Sequence, residues 1–359
     1  MSFNSGNKVK FNIFGQSHSA EMGVVAEGFP TGFKPDMEKL KAFMGRRAPG
    51  KDRFSTQRKE TDEPLIVSGI NPDGSLCGSP LCIVIKNSDA KSKDYESLKL
   101  VPRPGHSDYA AYMKYKGFND IRGGGQFSGR LTAPLCAAGG IAKQILEEKG
   151  IFISAHIYSL HGIKDEAFDS INPDVSLFEE IAKKSFPVIS DEKGLLMQKE
   201  IDAAREDKDS VGGIVECIIT GLKAGEGDFG TDSFESRLSS VVFSIPAVKG
   251  IEFGNGFECA SLFGSENNDE FYIDESGEVK TKTNNHGGIL GGISSGMPII
   301  FRAAVKPTPS ISKEQGSVNL KTGENCVLEI KGRHDPSIVQ RAVPVFEAAA
   351  ALVVLDMLS

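Results

Sequence analysis

The sequence predicts an α+β fold in which helices pack against antiparallel sheets. Segments with the residue pattern of strands interleave with segments of helical spacing, but no strict β-α-β alternation runs the whole length, which disfavours a doubly wound parallel sheet. Hydrophobic residues make up 39% of the 359 residues and charged residues 25%, so the chain can bury a sizeable core. This length suits one large domain or two ordinary ones.

The first half of the chain is predicted to contain four strands and two helices. The strands are expected at residues 9–14, 23–26, 64–70 and 81–86, the last two as a hairpin around the turn signal Asn71-Pro-Asp-Gly74. One helix is expected to open at Pro35-Asp36, because apolar residues follow at helical spacing. The other is expected over residues 131–148, with Gly150 as its stop.

The second half is predicted to combine strands with charged helices. Strands are expected at residues 151–158, 213–220, 299–305 and 326–330, and helical structure at 173–208, 232–243 and 338–358. Asp232 is the expected cap of the middle helix, with Glu235 in the capping-box position. Residues 266–278 carry six acids and no base, which indicates a mobile surface loop. The closing helix is largely apolar, so it belongs in the core or at a subunit interface.

Two similar segments point to an internal duplication. Arg130-Leu-Thr-Ala-Pro134 and Arg341-Ala-Val-Pro344 each follow a polar loop and run into an Ala-rich helix. A duplicated strand–helix unit produces this pattern, and so does chance in an Ala-rich chain.

Composition and charge exclude several classes of protein. The net charge of −7 and a pI near 5.5 disfavour nucleic acid as the main partner. The longest apolar stretches, residues 348–355 and 289–293, are shorter than the roughly 20 residues of a membrane span, and the first residues lack a secretory signal. Six cysteines without a C-x-x-C pair favour reduced thiols over disulfides or a zinc site. We therefore expect a cytoplasmic protein without a bound metal.

Glycine is unusually frequent and clustered. The chain has 40 glycines, about 11% of its residues against a usual value near 7%, with clusters at 123–125, 139–140, 287–288 and 291–292. Such clusters allow the backbone to approach a ligand or another backbone closely. Tight turns in a β-rich protein explain them as well.

Four polar segments interrupt the apolar pattern and carry the candidate chemistry. Arginines on Gly- and Pro-rich loops suit the carboxylates and phosphates of a small substrate, a glycine triplet offers successive N–H groups to an anion, and histidines can transfer protons. Each segment alone also fits an inert loop histidine, a solvated charged face, a tight turn or a surface ion pair. The segments are Gly15-Gln-Ser-His18, residues 46–59, residues 103–109 with 122–130, and residues 306–310 with 331–336.

Other types of site find no support in the sequence. Gly123 and Gly125 match the first two glycines of a dinucleotide-binding fingerprint, but no third glycine lies at the required offset. The chain also has no Gly-Lys-Ser/Thr phosphate loop. No nucleophile–base pair, carboxylate dyad or metal-ligand spacing stands out. The residues by themselves indicate an enzyme that acts on a small, multiply anionic substrate by acid–base chemistry.

These motifs, in this order, resemble the chorismate synthase family over essentially the full length of the chain. The matching segments are Phe14-Gly-Gln-Ser-His18, Arg46-Arg-Ala-Pro-Gly50, Ser79-Pro80, Asn87-Ser-Asp89, Asp94-Tyr95, Arg103-Pro-Gly-His-Ser-Asp-Tyr109, Arg122-Gly-Gly-Gly125, Asn285-His-Gly-Gly-Ile-Leu-Gly-Gly-Ile-Ser-Ser-Gly296, Lys306-Pro-Thr308, Arg333-His-Asp-Pro336 and Arg341-Ala-Val-Pro344.

The resemblance implies a fold, a reaction and a cofactor. The fold is a β-α-β sandwich of antiparallel sheets packed by helices, in a single domain over residues 1–359, assembled as a homotetramer. The reaction is the 1,4-elimination of phosphate from 5-enolpyruvylshikimate 3-phosphate to give chorismate, in the shikimate pathway of aromatic amino acid biosynthesis. It requires reduced FMN without net redox change, and the reductant is either NADPH used by the enzyme itself or a separate flavin reductase.

The resemblance also implies roles for single residues. His18 and His106 are implied as proton donors, and Asp335 as the base that takes the ring proton through the flavin. The implied substrate-binding residues are Ser17, Arg47, Arg53, Arg103, Arg130 and Arg333. The implied flavin-binding residues are Arg47, Arg53, Gln126, Phe127, Ser128, Ala247, Gly291, Lys306, Pro307, Thr308, Pro309, Ser310 and Arg333.

A few positions depart from the family's pattern. Gln126-Phe127 stand where the family commonly has Arg-Ser, which removes one positive charge and one hydroxyl, while Ser128 keeps its place. Pro309 replaces a serine, and Pro246 replaces an asparagine. These departures leave a non-catalytic flavin- or phosphometabolite-binding member of the family as the alternative. An anion-binding RNA module rests only on residues 46–59 and is disfavoured by the acidic chain.

Overall fold

The first five strands form one antiparallel sheet. The computed structural model describes residues 3–50, 62–87, 99–330 and 335–359. Its first half contains β1 (Phe3–Ser5), β2 (Lys10–Gly15), β3 (Glu21–Glu27), α1 (Met37–Arg47), β4 (Leu65–Ser68), β5 (Leu81–Lys86), α2 (Asp108–Tyr115) and α3 (Thr132–Glu148). The strand order in the sheet is β1-β2-β3-β5-β4. The predicted β4–β5 hairpin is confirmed, because these strands pair antiparallel.

A second five-stranded antiparallel sheet is built from the rest of the chain. Its order is β7-β6-β8-β14-β9, and the other strands form two-stranded hairpins. The elements are β6 (Phe152–Leu160), β7 (Ile163–Lys164), α4 (Val175–Lys183), α5 (Asp191–Glu206), β8 (Gly213–Thr220), α6 (Phe234–Ser244), β9 (Val248–Phe253), α7 (Gly264–Asn267), β10 (Phe271–Ile273), β11 (Val279–Thr281), β12 (Ile289–Leu290), β13 (Ile293–Ser294), β14 (Ile299–Val305), β15 (Gln315–Asn319), β16 (Glu324–Leu328) and α8 (Val339–Leu358).

Helices form a layer between the two sheets. α3 packs on β3 and β5 of the first sheet, α8 packs on β6 and β8 of the second, and the two helices pack on each other. Inward-facing side chains such as Ile83 and Val215 are fully buried against this layer, which removes their apolar surface from water. The predicted α+β sandwich is therefore confirmed.

The two halves of the chain share one topology. β2-β3-α1-β4-β5-α3 and β6-β8-α6-β9-β14-α8 follow the same order along the chain, and their strands lie in the same order in each sheet, β2-β3-β5-β4 and β6-β8-β14-β9. Arg130 lies just before α3, and Arg341 lies in the first turn of α8. The structure thus agrees with the duplication indicated by these two segments.

Some predicted helix boundaries are wrong. The first helix begins at Met37, because the Asp36 side chain accepts the N–H groups of residues 38 and 39 and acts as its cap. The middle helix is capped by Ser233 rather than Asp232, because Ser233 has the extended backbone of an N-cap and accepts the Ser236 N–H. Residues 173–208 form two helices, α4 and α5, rather than one continuous helical stretch.

The acidic segment is also not a loop. Residues 266–278 run from the end of α7 into the β10–β11 hairpin. Two of its carboxylates accept hydrogen bonds from backbone N–H groups. Asp269 accepts those of residues 285 and 286, and Asp274 accepts those of residues 276 and 278. Charge alone therefore misled the prediction, because these acids stabilise turns.

α8 is the central helix, and most of its residues are buried, as its apolar pattern predicts. Among the described ranges, no helix is long and apolar enough to cross a bilayer. The buried Glu347 of α8 binds Arg46 of α1 at 2.6 Å and Lys143 of α3 at 2.7 Å. Burial by itself raises the pKa of Glu347, but these two cations outweigh it and lower the pKa to about 2. The three helices are thus joined by one buried charge cluster.

Replacing this carboxylate is expected to make stability less dependent on pH. The folded pKa of Glu347 lies below the unfolded value of about 4.3, so its stabilisation is present above pH 4.3 and is lost as pH falls towards 2. We expect Glu347→Gln to lower the free energy of unfolding by about 3 kcal/mol at pH 7 and by about 1 kcal/mol at pH 3. Urea unfolding at both pH values measures this. Glu38→Gln, on an exposed carboxylate, is the control, and an equal loss at both pH values would contradict the assignment.

Candidate active site

His18 and His106 face the same strip of glycine backbone. A Cβ atom built on Gly123 would lie 2.7 Å from His18 Nε2, and one built on Gly124 would lie 3.2 Å from His106 Nε2. Because consecutive Cα atoms are about 3.8 Å apart, the two ring nitrogens are at most about 13 Å apart. The glycines 123–125 all have positive φ, so the strip needs glycine for its conformation as well as for space.

A carboxylate and a guanidinium orient His106. Asp108, the first residue of α2, lies 2.6 Å from His106 Nδ1 and accepts Arg103 Nε at 2.7 Å. Burial by itself raises the pKa of Asp108, but the hydrogen bonds from Arg103 and His106 hold it well below its usual range. Asp108 lies on the Nδ1 side of the ring, and Nε2 lies near both Gly124 of the glycine strip and Arg103 NH2, which is 3.4 Å away. Arg103 also donates to Ser310 Oγ at 3.2 Å.

The segment after β14 lies against this group. Lys306 Nζ donates to the Gly105 carbonyl, and its N–H donates to Ala247 O at 3.0 Å. Pro309 is also next to Gly105, since a Cβ on that glycine would lie 3.4 Å from Pro309 Cβ. Burial and the nearby Lys249 lower the pKa of Lys306. This part of the site is therefore positively charged and partly shielded from water.

Asp335 connects this segment to a cluster of arginines. Its carboxylate accepts Arg341 NH1 at 2.9 Å, and Arg341 Nε donates to the Arg47 carbonyl at 3.0 Å. On the other side, the backbone after Asp335 is tied to residues 306–310: Val211 N–H donates to the residue 336 carbonyl at 2.8 Å, and the adjacent Ser210 Oγ donates to the Thr308 carbonyl at 2.7 Å. Asp335 thus lies between the two groups.

The arginines share a buried carboxylate. Asp62, just before β4, accepts Arg47 Nε at 2.8 Å and also binds Arg47 NH2 and Arg130 NH1. Burial raises the pKa of Asp62, but the two guanidinium groups outweigh it and lower the pKa below its ordinary value. Arg130 Nε donates to Asn87 Oδ1 at 3.2 Å. Asn87 Nδ2 in turn donates to the Ser19 carbonyl at 2.7 Å, beside His18.

These contacts close on themselves, and we call them the contact circuit. It runs from His18 through the glycine strip to His106, then to residues 306–310, Asp335, the arginine cluster and Asn87, and back to the loop of His18. Segments far apart in the chain are therefore linked in one closed series of contacts that includes two imidazoles, a carboxylate and several cations. Its members are His18, Gly123, Gly124, His106, Asp108, Arg103, Ser310, Thr308, Asp335, Arg341, Arg47, Asp62, Arg130 and Asn87.

Three predicted flavin-binding residues, Gly291, Gln126 and Phe127, are not members of the contact circuit. Gly291 lies between β12 and β13, near the start of β14, whereas Lys306 follows its end about 20 Å away along the strand. Gln126 Nε2 donates to the Tyr115 hydroxyl at 2.8 Å, and the Phe127 ring also packs beside Tyr115 of α2.

Other predicted residues lie beside the circuit. Ser17 N–H donates to the Gly125 carbonyl at 3.1 Å, and Ser128 Cβ is 3.7 Å from a Cβ built on Gly124. Pro307 packs beside Gly212. Arg53 and Arg333 lie outside the described residues, as do residues 88–89 and 94–95 of the motifs.

Sequence reasoning missed Asp62, Asp108 and Asn87 as single functional residues. Asp108 and Asn87 stand inside segments that were singled out, but nothing local shows that they hold an imidazole or an arginine. Asp62 stands outside all four polar segments, and its partners are 15 and 68 residues away. Only a search for a carboxylate able to neutralise buried arginines finds it. Among the described residues, no group of three or more His, Cys, Asp or Glu could hold a metal ion.

Comparison with known proteins shows which family the chain belongs to. A family model described as chorismate synthase matches residues 9–359. The chain belongs to the chorismate synthase family. It is 45% identical to the chorismate synthase of Lancefieldella parvula, over 98% of this chain and 95% of that protein. It is 46% identical to that of Pyrococcus abyssi, over 98% of this chain and 96% of the relative.

A solved structure agrees with the family assignment. A crystal structure of chorismate synthase matches with a TM-score of 0.76 at 27% identity, covering 99% of this chain and 92% of that one. The resemblance drawn from the motifs is therefore confirmed, and the chain is an enzyme of the chorismate synthase type.

Proposed function

We propose that the protein converts 5-enolpyruvylshikimate 3-phosphate to chorismate by 1,4-elimination, with reduced FMN bound. The observation that carries this proposal is the contact circuit, which links two imidazoles and the Asp335 carboxylate through one closed series of contacts. In the reaction a C–O bond to phosphate and a ring C–H bond break. The C–H electron pair ends in a new ring double bond, and the phosphate leaves with the C–O pair.

The cations of the circuit suit the anionic groups of this substrate. The substrate carries two carboxylates and a phosphate, and planar guanidinium groups bind both kinds of anion through paired hydrogen bonds. Three of these arginines are buried: the exposed fractions of Arg47, Arg103 and Arg130 are 2, 7 and 7%. An anion that binds them therefore loses its own hydration water and gains hydrogen bonds from the guanidinium groups. We propose Ser17, Arg53 and Arg333 as further substrate ligands on the basis of their motifs.

The two imidazoles and Asp335 divide the proton transfers. We assign His18 as the acid that protonates the leaving phosphate, because a phosphate dianion beside an imidazole favours its protonated form. His106 acts as a second proton donor, with its Nε2 kept towards the glycine strip by Asp108. Asp335 is the base for the ring proton, and its ion pair with Arg341 holds its carboxylate in place.

Residues 306–310 fit a flavin in this site. Thr308 Oγ1 is buried and has no hydrogen-bond partner among the described residues, so it is left to bind a ligand. Lys306 and Lys249 bring positive charge next to it, as a flavin phosphate requires. Ala247, Lys306, Pro307, Thr308, Pro309, Ser310 and Ser128 would hold the cofactor from this side. Reduced FMN, when bound, supplies electron density that assists departure of the phosphate.

Gln126, Phe127 and Gly291 remain proposed flavin contacts only through their motifs. The side chains of Gln126 and Phe127 contact Tyr115 of α2. They would therefore contact the cofactor through their backbone groups or after a change of side-chain rotamer. A homotetramer, a cytoplasmic location, and either NADPH or a separate reductase as the source of electrons belong to the same proposal.

Turnover of the phosphorylated substrate under controlled reduction tests this function. We expect release of chorismate and phosphate from the substrate with FMN and dithionite under anaerobic conditions. Repeating the assay with NADPH, aerobically and anaerobically, shows whether the protein reduces its own flavin. FMN binding without turnover under dithionite would instead support the non-catalytic alternative, which rests on the departures from the family pattern at Gln126 and Phe127.

A further inference from the structure

We propose that Asp62 is a positioning residue that orients Arg47 and Arg130 to receive the anionic substrate. This inference rests on the proposed function, in which both arginines bind the substrate. Asp62 itself makes no contact with substrate in this account. It acts only through the two guanidinium groups that it holds.

The geometry places one carboxylate between both side chains. Asp62 Oδ2 accepts Arg47 Nε at 2.8 Å and also binds Arg47 NH2, and its Oδ1 binds Arg130 NH1. The Asp62 side chain is fully buried, and those of Arg47 and Arg130 are 3 and 6% exposed. Water therefore competes little with these hydrogen bonds, which are charge-assisted. The carboxylate defines the plane of the Arg47 guanidinium through two of its nitrogens.

Asp62 is also a partner shared by two guanidinium groups that come from different segments. Arg47 ends α1 and Arg130 precedes α3. The two helices pack on each other, and Arg47 NH1 donates to Thr132 Oγ1 at 3.4 Å, but Asp62 is the carboxylate that binds both guanidinium groups. Asp62 has a φ of 50°, in the left-handed region that a non-glycine residue seldom adopts. The fold holds Asp62 in this conformation, which directs its carboxylate at both arginines.

Charge and position make opposite predictions for substrate affinity. The groups near Asp62 are Arg47, Arg130, Arg341 and Asp335. Removing the Asp62 charge makes this cluster more positive, which by simple electrostatics would tighten the binding of an anion. If Asp62 instead positions the arginines, its removal leaves them repelling each other and misdirected, and binding weakens. The sign of the change separates the two roles.

The test compares Asp62→Asn with the wild-type protein. We expect a KM for 5-enolpyruvylshikimate 3-phosphate raised by about 10- to 100-fold, with a smaller fall in kcat, because the loss is one of substrate positioning. Binding of inorganic phosphate, measured by calorimetry, should weaken in parallel. Asp62→Glu keeps the charge and should recover part of the affinity, and it also provides a folded variant if Asp62→Asn is unstable.

A matched control separates positioning from general stability. Asp356 lies near the C-terminal end of α8 and is also buried. It binds Arg237 and accepts the N–H groups of residues 7–9. Asp356→Asn should lower the melting temperature but leave KM and phosphate affinity unchanged. The inference is overturned if folded Asp62→Asn binds substrate and phosphate as tightly as wild type, or more tightly. If wild type shows no turnover yet Asp62→Asn still weakens phosphate binding, the proposed function fails and the role of Asp62 stands.

Discussion

His18→Ala and His106→Ala are each expected to lower kcat by about 10²- to 10⁴-fold, the usual contribution of a positioned proton donor. Each substitution removes an imidazole whose Nε2 faces the glycine strip, and no other described histidine lies on the contact circuit. Flavin binding should be largely retained, because neither histidine is among the proposed flavin contacts. The loss should therefore appear in turnover rather than in cofactor affinity.

Anaerobic turnover with dithionite-reduced FMN, together with a flavin titration, measures both effects. His161→Ala is the control, because His161 lies on the surface, where it binds Glu200 at 2.9 Å. That variant should turn over like wild type. Wild-type turnover in both His18→Ala and His106→Ala would remove the assignment of these residues as proton donors.

Gly139→Ala is expected to destabilise the protein by about 2–4 kcal/mol through the crossing of α3 and α8. A Cβ atom at Gly139 would lie 2.4 Å from Ala348 Cβ and 2.5 Å from Ala348 Cα. Backbone atoms of α8 cannot yield to it locally, so the two central helices must separate. This cost exceeds the gain of about 1 kcal/mol that alanine brings in a helix.

The neighbouring glycine supplies a matched control. A Cβ atom at Gly140 would meet Leu40 Cδ1 at 2.7 Å and Phe43 Cδ1 at 2.9 Å, which are ends of side chains rather than backbone. Gly140→Ala, with the same gain in helix propensity, should stay within about 1 kcal/mol of wild type. Urea unfolding of both variants measures the difference, and equal stabilities would show that the close crossing is not limiting.

The strands and long helices could be predicted from local patterns. The strand at Gly213–Thr220 was predicted to the residue, and α3 and α8 begin within one residue of their predicted starts. The errors arose where one residue type serves two purposes. The acids of residues 266–278 read as a solvated loop, but some of them accept backbone hydrogen bonds and stabilise a hairpin. Neighbouring polar residues at a helix start likewise left the cap ambiguous between Asp232 and Ser233.

The motifs located the site more completely than they explained it. They singled out His18, His106 and Asp335, and the structure brings all three onto the contact circuit. They did not reveal Asp62 or Asp108, because a carboxylate that holds an arginine or an imidazole is recognised by its partners in space. Gly291 was placed among the flavin-binding positions, and in a single chain it lies at the far end of β14 from Lys306. Its role stays a prediction.

Local sequence was sufficient for the fold class and the family, and it is the source of the proposed anionic substrate. Each of these depends on residue spacing, on composition or on contiguous motifs, all of which can be read without knowing which segments meet in space. The contacts that each histidine makes depend on packing. His156 is buried between Asp165 and Glu216, whose contacts raise its pKa against the effect of burial, and it supports the second sheet. His18 and His106 instead meet at one glycine strip, because long-range contacts between distant segments determine which side chains share a space.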